Sequence, residues 1–176
     1  GMLDGDEVIC DICDDLASIL RYSTDTRERY ATIGQECTYL KSYFKLLKGR
    51  YEHKLEYEIH ISAGTDSKII PKLVLQQFAE NSVLHGFEQK KQVMRIEVYT
   101  WQDETGWYVR VRDNGDGFTE EALRSIRDNM EKFKKQMKED GQNCELRIGG
   151  MGIANTYARL YLLYSEKLKF CIGNHE

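Results

Sequence analysis

Apolar residues recur at helical spacing from about Asp6 to Tyr22, where Val8, Ile9, Ile12, Leu16, Ile19 and Leu20 form one stripe. Ser23-Thr24-Asp25-Thr26 interrupts it. A second stripe of Ile33, Cys37, Leu40, Phe44, Leu47 and Tyr51 steps by four and three and predicts a helix over 33–51. Such a seam suits a partner helix across a dimer, and it suits packing on its own domain equally. From Leu55 to Ile61 the period changes to two, with Leu55, Tyr57, Ile59 and Ile61 alternating against polar residues, as a half-buried strand requires. Pro71, the only proline, stands just before a helix expected from Lys72 to about His85. Met94 to Trp101 and Trp107 to Asp113 read as strands joined through the turn Asp103-Glu104-Thr105-Gly106. Thr119 caps a polar helix running through Lys132-Phe133-Lys134-Lys135-Gln136 towards Gly141. A helix from Gly152 to Tyr164 and a strand from Leu168 to Ile172 complete the reading. Strands and helices mix without regular βαβ alternation. The expected class is therefore α+β, with one mixed, mostly antiparallel sheet covered by helices on one face.

Composition narrows the classes of function. A net charge of −4 without a basic cluster on one face argues against nucleic acid as a partner. No run of eighteen apolar residues exists, so no membrane-spanning helix is predicted. Cysteines at 10, 13, 37, 144 and 171 make an odd count without a repeating framework, which suits a reducing compartment. Cys10-x-x-Cys13 lacks the second close pair that a zinc site needs. Gly1-Met2 reads as an expression remnant on a piece of a longer protein.

Three segments carry candidate chemistry. On the helix at 72–85, Gln77, Asn81 and His85 are spaced i, i+4, i+8 and share a polar face, while Leu75, Phe78, Ala79 and Ser82 face the packing side. A neutral amide such as Asn81 can give its oxygen to a hard divalent cation that keeps most of its waters. Glu80 points about 100° away from Asn81, to solvent or a neighbouring helix. Along the later strand, Val109, Val111 and Asp113 share one face, so a carboxylate stands in register with core valines and needs a donor. The exocyclic amine of adenine is one such donor. Gly115 and Gly117 then clear side chains where a flat base approaches backbone. Gly149-Gly150-Met151-Gly152 precedes a helix, whose free amides suit anions, although the segment is neither a P-loop nor a Rossmann fingerprint.

Together these residues resemble the GHKL ATPase superfamily of histidine kinases, type II topoisomerase and Hsp90-type ATPases and MutL. Residues Gln77 to Gly86 look like its N box, Asp113 to Gly117 its G1 box and Gly150 to Asn155 its G2 box. The likeness is sharpest to sensor histidine kinases of the LytS/YesM type. It rests on Ile19-Leu20-Arg21-Tyr22-Ser23, on Pro71-x-Leu73-x-Leu75-Gln76-x-x-x-Glu80-Asn81-x-x-x-His85-Gly86 and on Gly152-Ile153-x-Asn155-x-x-x-Arg159-Leu160.

The resemblance implies a two-layer α/β sandwich, residues 54–176, that binds ATP with Mg2+, behind a helical lead-in at 1–53. In it Asn81 would hold the metal, Asp113 would accept from the adenine amine, and Gly115 and Gly117 would shape the base pocket. Gly150, Gly152 and Ile153 would meet the phosphates with His85 nearby, and residues from about 118 to 149 would form a lid. It further implies transfer of the γ-phosphoryl group to a histidine outside this chain and thence to a response regulator. A homodimer through the N-terminal helices and a cytoplasmic position in a bacterial inner-membrane-anchored sensor follow as well, with membrane parts outside this chain.

Two departures shape the expectation. Gln77 stands where topoisomerase-type relatives carry a water-activating glutamate, so transfer is favoured over hydrolysis, with Glu80 a weaker substitute acid–base group. The Asn-Pro-His-Phe-Leu-Tyr-Asn acceptor segment of the family does not occur, and His53, His60 and His175 have other surroundings. The fragment is thus expected to bind ATP without phosphorylating itself. A degenerate GHKL domain serving as a dimeric scaffold, and an anti-sigma-factor serine kinase, are the alternatives.

Overall fold

The computed structural model describes residues 3–25, 27–86, 93–140 and 152–174, which divide into two compact units, one through Asn114 and one from Gly115. The chain is α+β, as its patterning predicts.

In the first unit, helix α1 spans Leu3–Thr24 and α2 spans Ile33–Tyr51, with the short strand β1 (Tyr30–Thr32) between them. The start of α2 is fixed by a reciprocal cap. The Gln35 amide N–H donates to Thr32 Oγ1 (3.1 Å) while Gln35 Oε1 accepts from the Thr32 N–H (2.8 Å), satisfying amides a helix end leaves unpaired. Strand β2 (Leu55–His60) pairs in parallel with β4 (Met94–Asp103), which pairs antiparallel with β5 (Gly106–Asp113). A separate ribbon joins β1 to β3 (Ile69–Pro71). Helix α3 spans Val74–Gly86 and packs on β4, β5 and α2.

Alternation along the strands sends Leu55, Met94, Ile96 and Val98 into the core, where they join Ile33, Cys37, Leu40 and Phe44 of α2 and Leu75 and Ala79 of α3. Ile33, Cys37, Leu40 and Phe44 of the α2 stripe are therefore buried inside their own unit, while Leu47 and Tyr51 are half-buried. The opposite sheet face carries the Arg95–Glu56 pair (3.0 Å), the stacked His60–Tyr99 rings and the stacked Trp101–Tyr108 rings, with Arg110 over Trp101.

The second unit contains α4 (Glu120–Asp140) and α5 (Gly152–Tyr164). Thr119 Oγ1 accepts from the Ala122 N–H (3.1 Å), the cap that its position predicts. Phe133, Tyr157, Ala158 and Tyr161 form the core of the unit, with Met130, Met137, Leu168 and Phe170 packed against it. Residues 168–172 are not assigned to a strand, so the expected last strand is not seen among the described residues.

The lysines of α4 have a structural use. Lys134 and Lys138 reach Glu166 at 3.2 and 3.3 Å, and the Tyr161 hydroxyl donates to it at 2.8 Å. The Tyr161 bond first, then the lysines, hold the Glu166 carboxyl down at about 2, below its ordinary 4.5. A depressed carboxyl contributes stability above the unfolded-state value and loses it as pH falls through the folded-state value. Tyrosine near-ultraviolet signal of this unit should accordingly weaken between about pH 4.5 and 2, modestly because the group is exposed. Glu166→Gln should remove that pH step.

Candidate functional site

Asp113 is the last residue of β5, and the register sets it opposite Ile96 on the face that α3 covers. Its Oδ2 accepts from the Ser82 hydroxyl of α3 at 2.7 Å. The half-buried carboxylate thus has a donor from the neighbouring helix, which fixes its orientation. The next residue, Asn114, extends the strand pairing by its side chain. Its Oδ1 accepts from the Arg95 N–H (2.8 Å), its Nδ2 donates to the Val93 carbonyl (2.9 Å), and its own N–H donates to the Arg95 carbonyl (3.2 Å). Three bonds therefore hold the strand end that presents Asp113.

On α3, the Asn81 Nδ2 donates to the Gln77 carbonyl one turn back (2.7 Å). A backbone carbonyl can only be met by the NH2 end of the amide, so the Asn81 oxygen is turned the other way. Glu80 points towards α2. Its carboxylate accepts from the Gln76 amide (2.5 Å) and the Gln77 amide (3.4 Å), and Gln76 accepts from the Tyr39 hydroxyl (2.6 Å). Burial first and the Glu80 charge second push the Tyr39 and Tyr43 hydroxyls up to about 12. The His85 side chain lies outside the described residues.

A cavity of ≈ 480 Å³ opens at the same end of the sheet, lined by Glu56, Val93, Arg95, Glu97, Arg112, Asp113 and Asn114. Most of that lining is the charged outer face, and neither Asn81 nor Ser82 belongs to it.

The remaining motif residues lie in the second unit. Gly117 has φ +73, the left-handed region, and a Cβ there would stand 2.5 Å from Asn174 Oδ1. That Asn174 amide brackets Phe118, accepting from its N–H (2.7 Å) and donating to its carbonyl (2.8 Å). Glycine is therefore needed at 117 for the backbone and for this close approach. Gly117→Ala should cost about 2–3 kcal/mol, combining an unfavourable φ with one or two disturbed hydrogen bonds, read as a lower urea midpoint. Gly152 opens α5, Thr156 Oγ1 donates to its carbonyl (2.8 Å), and Ile153 is buried. Gly150, the remaining glycine assigned to the phosphates, lies outside the described residues, as does the putting of residues 141–149 into a lid. Cys10 and Cys13 are exposed on α1, and no group of three potential metal ligands forms among the described residues.

Sequence reasoning placed Asn81 and Asp113 in the site but not Ser82, Asn114 or Glu36. Ser82 read as a packing residue because it shares the apolar side of α3. A hydroxyl on that side, level with a strand-end carboxylate, was the available signal. Glu36 is fully buried on α2 between Gln35 and Cys37, and its bonds from the Leu73 and Leu75 N–H groups exist only because α3 arrives from elsewhere in the chain.

Comparison with known proteins gives the site a setting. The histidine kinase family model matches residues 2–55. The sensor protein LytS of Bacillus cereus is 30% identical over 100 residues, which cover 57% of this chain and 17% of that protein. The LytS of Bacillus subtilis is 29% identical over 97 residues, covering 55% and 16%. The sensor protein kinase HptS of Staphylococcus aureus is 25% identical over 153 residues, covering 87% and 29%. The chain thus spans 17% of the length of the first of these relatives. No described helix is long and apolar enough to cross a membrane. By these matches the chain is similar, over part of its length, to the LytS-type sensor histidine kinases.

Proposed function

We propose that this chain is the ATP-binding part of a two-component sensor kinase, supplying the γ-phosphoryl group to a histidine outside the chain and, from there, to a response regulator. The observation that carries the reading is the Ser82–Asp113 hydrogen bond, which aims a carboxylate from the end of β5 beside the helix that bears Asn81. In this role Asp113 accepts from the adenine amine while Ser82 and Asn114 hold it in place. Asn81 offers an oxygen to magnesium, because its NH2 end is committed to the Gln77 carbonyl. Asn81 would hold magnesium, which would supply charge neutralisation for the transferring phosphate.

The chain's own part in transfer is positioning, the main contribution protein groups make to phosphoryl transfer. Gln77 cannot serve as a general base, which favours delivery to a protein acceptor over water. Glu80, bonded to Gln76 and Gln77, orients α3 in this reading, and His85 lies on the same helix near its end. Gly115, Gly117, Gly150, Gly152 and Ile153 take their phosphate and base-pocket roles from their motifs. The homodimer is assigned to α1, whose Ile9, Ile12, Leu16 and Leu20 are 46–59% exposed. The parent's anchor in a bacterial inner membrane belongs to sequence outside this chain.

Calorimetry with ATP, with and without magnesium, tests the proposal. Magnesium-dependent binding that Asn81→Ala uncouples from the metal is the expected result. No heat and no thermal shift at millimolar Mg-ATP would overturn it in favour of a scaffold role.

A further inference from the structure

We propose that Glu36, gripped by Tyr22, is a positioning residue through which the first helix sets the seat of α3 and hence of Asn81. Glu36 is a carboxylate with no exposed surface, on α2. Its Oε1 accepts from the Tyr22 hydroxyl of α1 (2.5 Å) and from the Leu73 N–H (2.7 Å), and its Oε2 accepts from the Leu75 N–H (3.2 Å). The two amides belong to the start of α3, where N–H groups lack helical partners and the helix dipole favours negative charge. Leu73 is held at φ 63, a rare backbone for leucine, with its N–H turned onto this carboxylate. One buried charge therefore takes donors from α1 and α3 at once.

Two further ties run the same way. The Tyr22 ring packs on Tyr39 (4.6 Å between centroids), and the hydrogen-bond chain from Tyr39 through Gln76 ends on Glu80, the neighbour of Asn81. Lys72, just ahead of α3, donates to the Asp25 carbonyl after α1 (3.0 Å), and its ammonium lies 4.5 Å from the Tyr22 ring centre. By contrast, the Asp15–Lys45 ion pair (3.6 Å) ties α1 to α2 only. Rotation or sliding of α1 withdraws the phenol from a buried carboxylate, which must then find another donor or shift. The first turn of α3 moves with it. By linkage, whatever stabilises α3 also stabilises the docked α1.

Hydrogen exchange on the full chain separates this clamp from ordinary packing. In Tyr22→Phe, exchange at Leu73 and Leu75 and onward to Glu80 should speed up about tenfold or more, as loss of a hydrogen bond to a charged group implies. Asp15→Asn, which loosens α1 without touching Glu36, should leave those amides unchanged. If Tyr22→Phe accelerates α3 no more than Asp15→Asn does, or speeds all of the first unit equally, the clamp is overturned. The link from α3 to nucleotide rests on the function proposed above, and predicts a roughly five- to tenfold weaker Mg-ATP affinity for Tyr22→Phe. An altered α3 with unchanged affinity would overturn the positioning role. Should the native chain bind no ATP, the proposed function fails, while the exchange comparison still decides the clamp.

Discussion

Asp113→Asn should lower ATP affinity roughly 10²–10³-fold, equivalent to about 3–4 kcal/mol, while the chain stays folded. The size follows from what the amide must do at this position. The carboxylate takes the Ser82 hydroxyl on Oδ2 and accepts from a second donor in the proposed complex. An asparagine has one acceptor and one donor end. If its oxygen keeps the Ser82 hydroxyl, its NH2 faces the adenine amine, donor against donor, and a desolvated group is left unsatisfied. Ser82→Ala should have a smaller effect, about 1 kcal/mol in binding, because the acceptor survives and only its orientation is freed. Equal thermal midpoints for the native chain and Asp113→Asn, with binding heat lost only in the latter, would assign the effect to the ligand. A normal affinity in Asp113→Asn would remove Asp113 from the nucleotide site.

How far the sequence reached depends on whether a feature is local. The helix at 33–51 coincides with the observed α2, because its apolar spacing is long and its Thr32–Gln35 cap is local. The 94–113 hairpin likewise follows from alternation around a four-residue turn. The start of α3 falls two residues late, at Val74 instead of Lys72, because Leu73 leaves the helical region to reach Glu36, thirty-seven residues away in sequence. Strands β1 and β3 are three residues each, too short for a period-two pattern to register, and exist through their mutual pairing. That Asp113 ends a strand and that Asn81 stands one turn after Gln77 on a helix follow from alternation with apolar neighbours and from i+4 spacing. The Ser82–Asp113 bond was not, since helix and strand meet only in the fold.

Phe44→Ala should be the most destabilising single change among those considered, at about 3–5 kcal/mol. Phe44 has no exposed surface and is the largest of the fully buried side chains among the described residues. Its ring stacks on Tyr57 of β2 (4.7 Å, 21° between planes) and lies 6.0 Å from Tyr43. Removal leaves a cavity where α2 meets the sheet, which the surrounding structure closes only in part. The loss is a sizeable part of the stability a small domain has to spare. Because Glu36 sits two turns earlier on the same helix, any shift of α2 into the cavity also moves the carboxylate that seats α3. Phe44→Leu keeps most of the volume and should recover more than half of the loss, with α3 exchange near native. A Phe44→Ala chain that melts within about 1 kcal/mol of native would mean that α2 does not bear on the sheet as described.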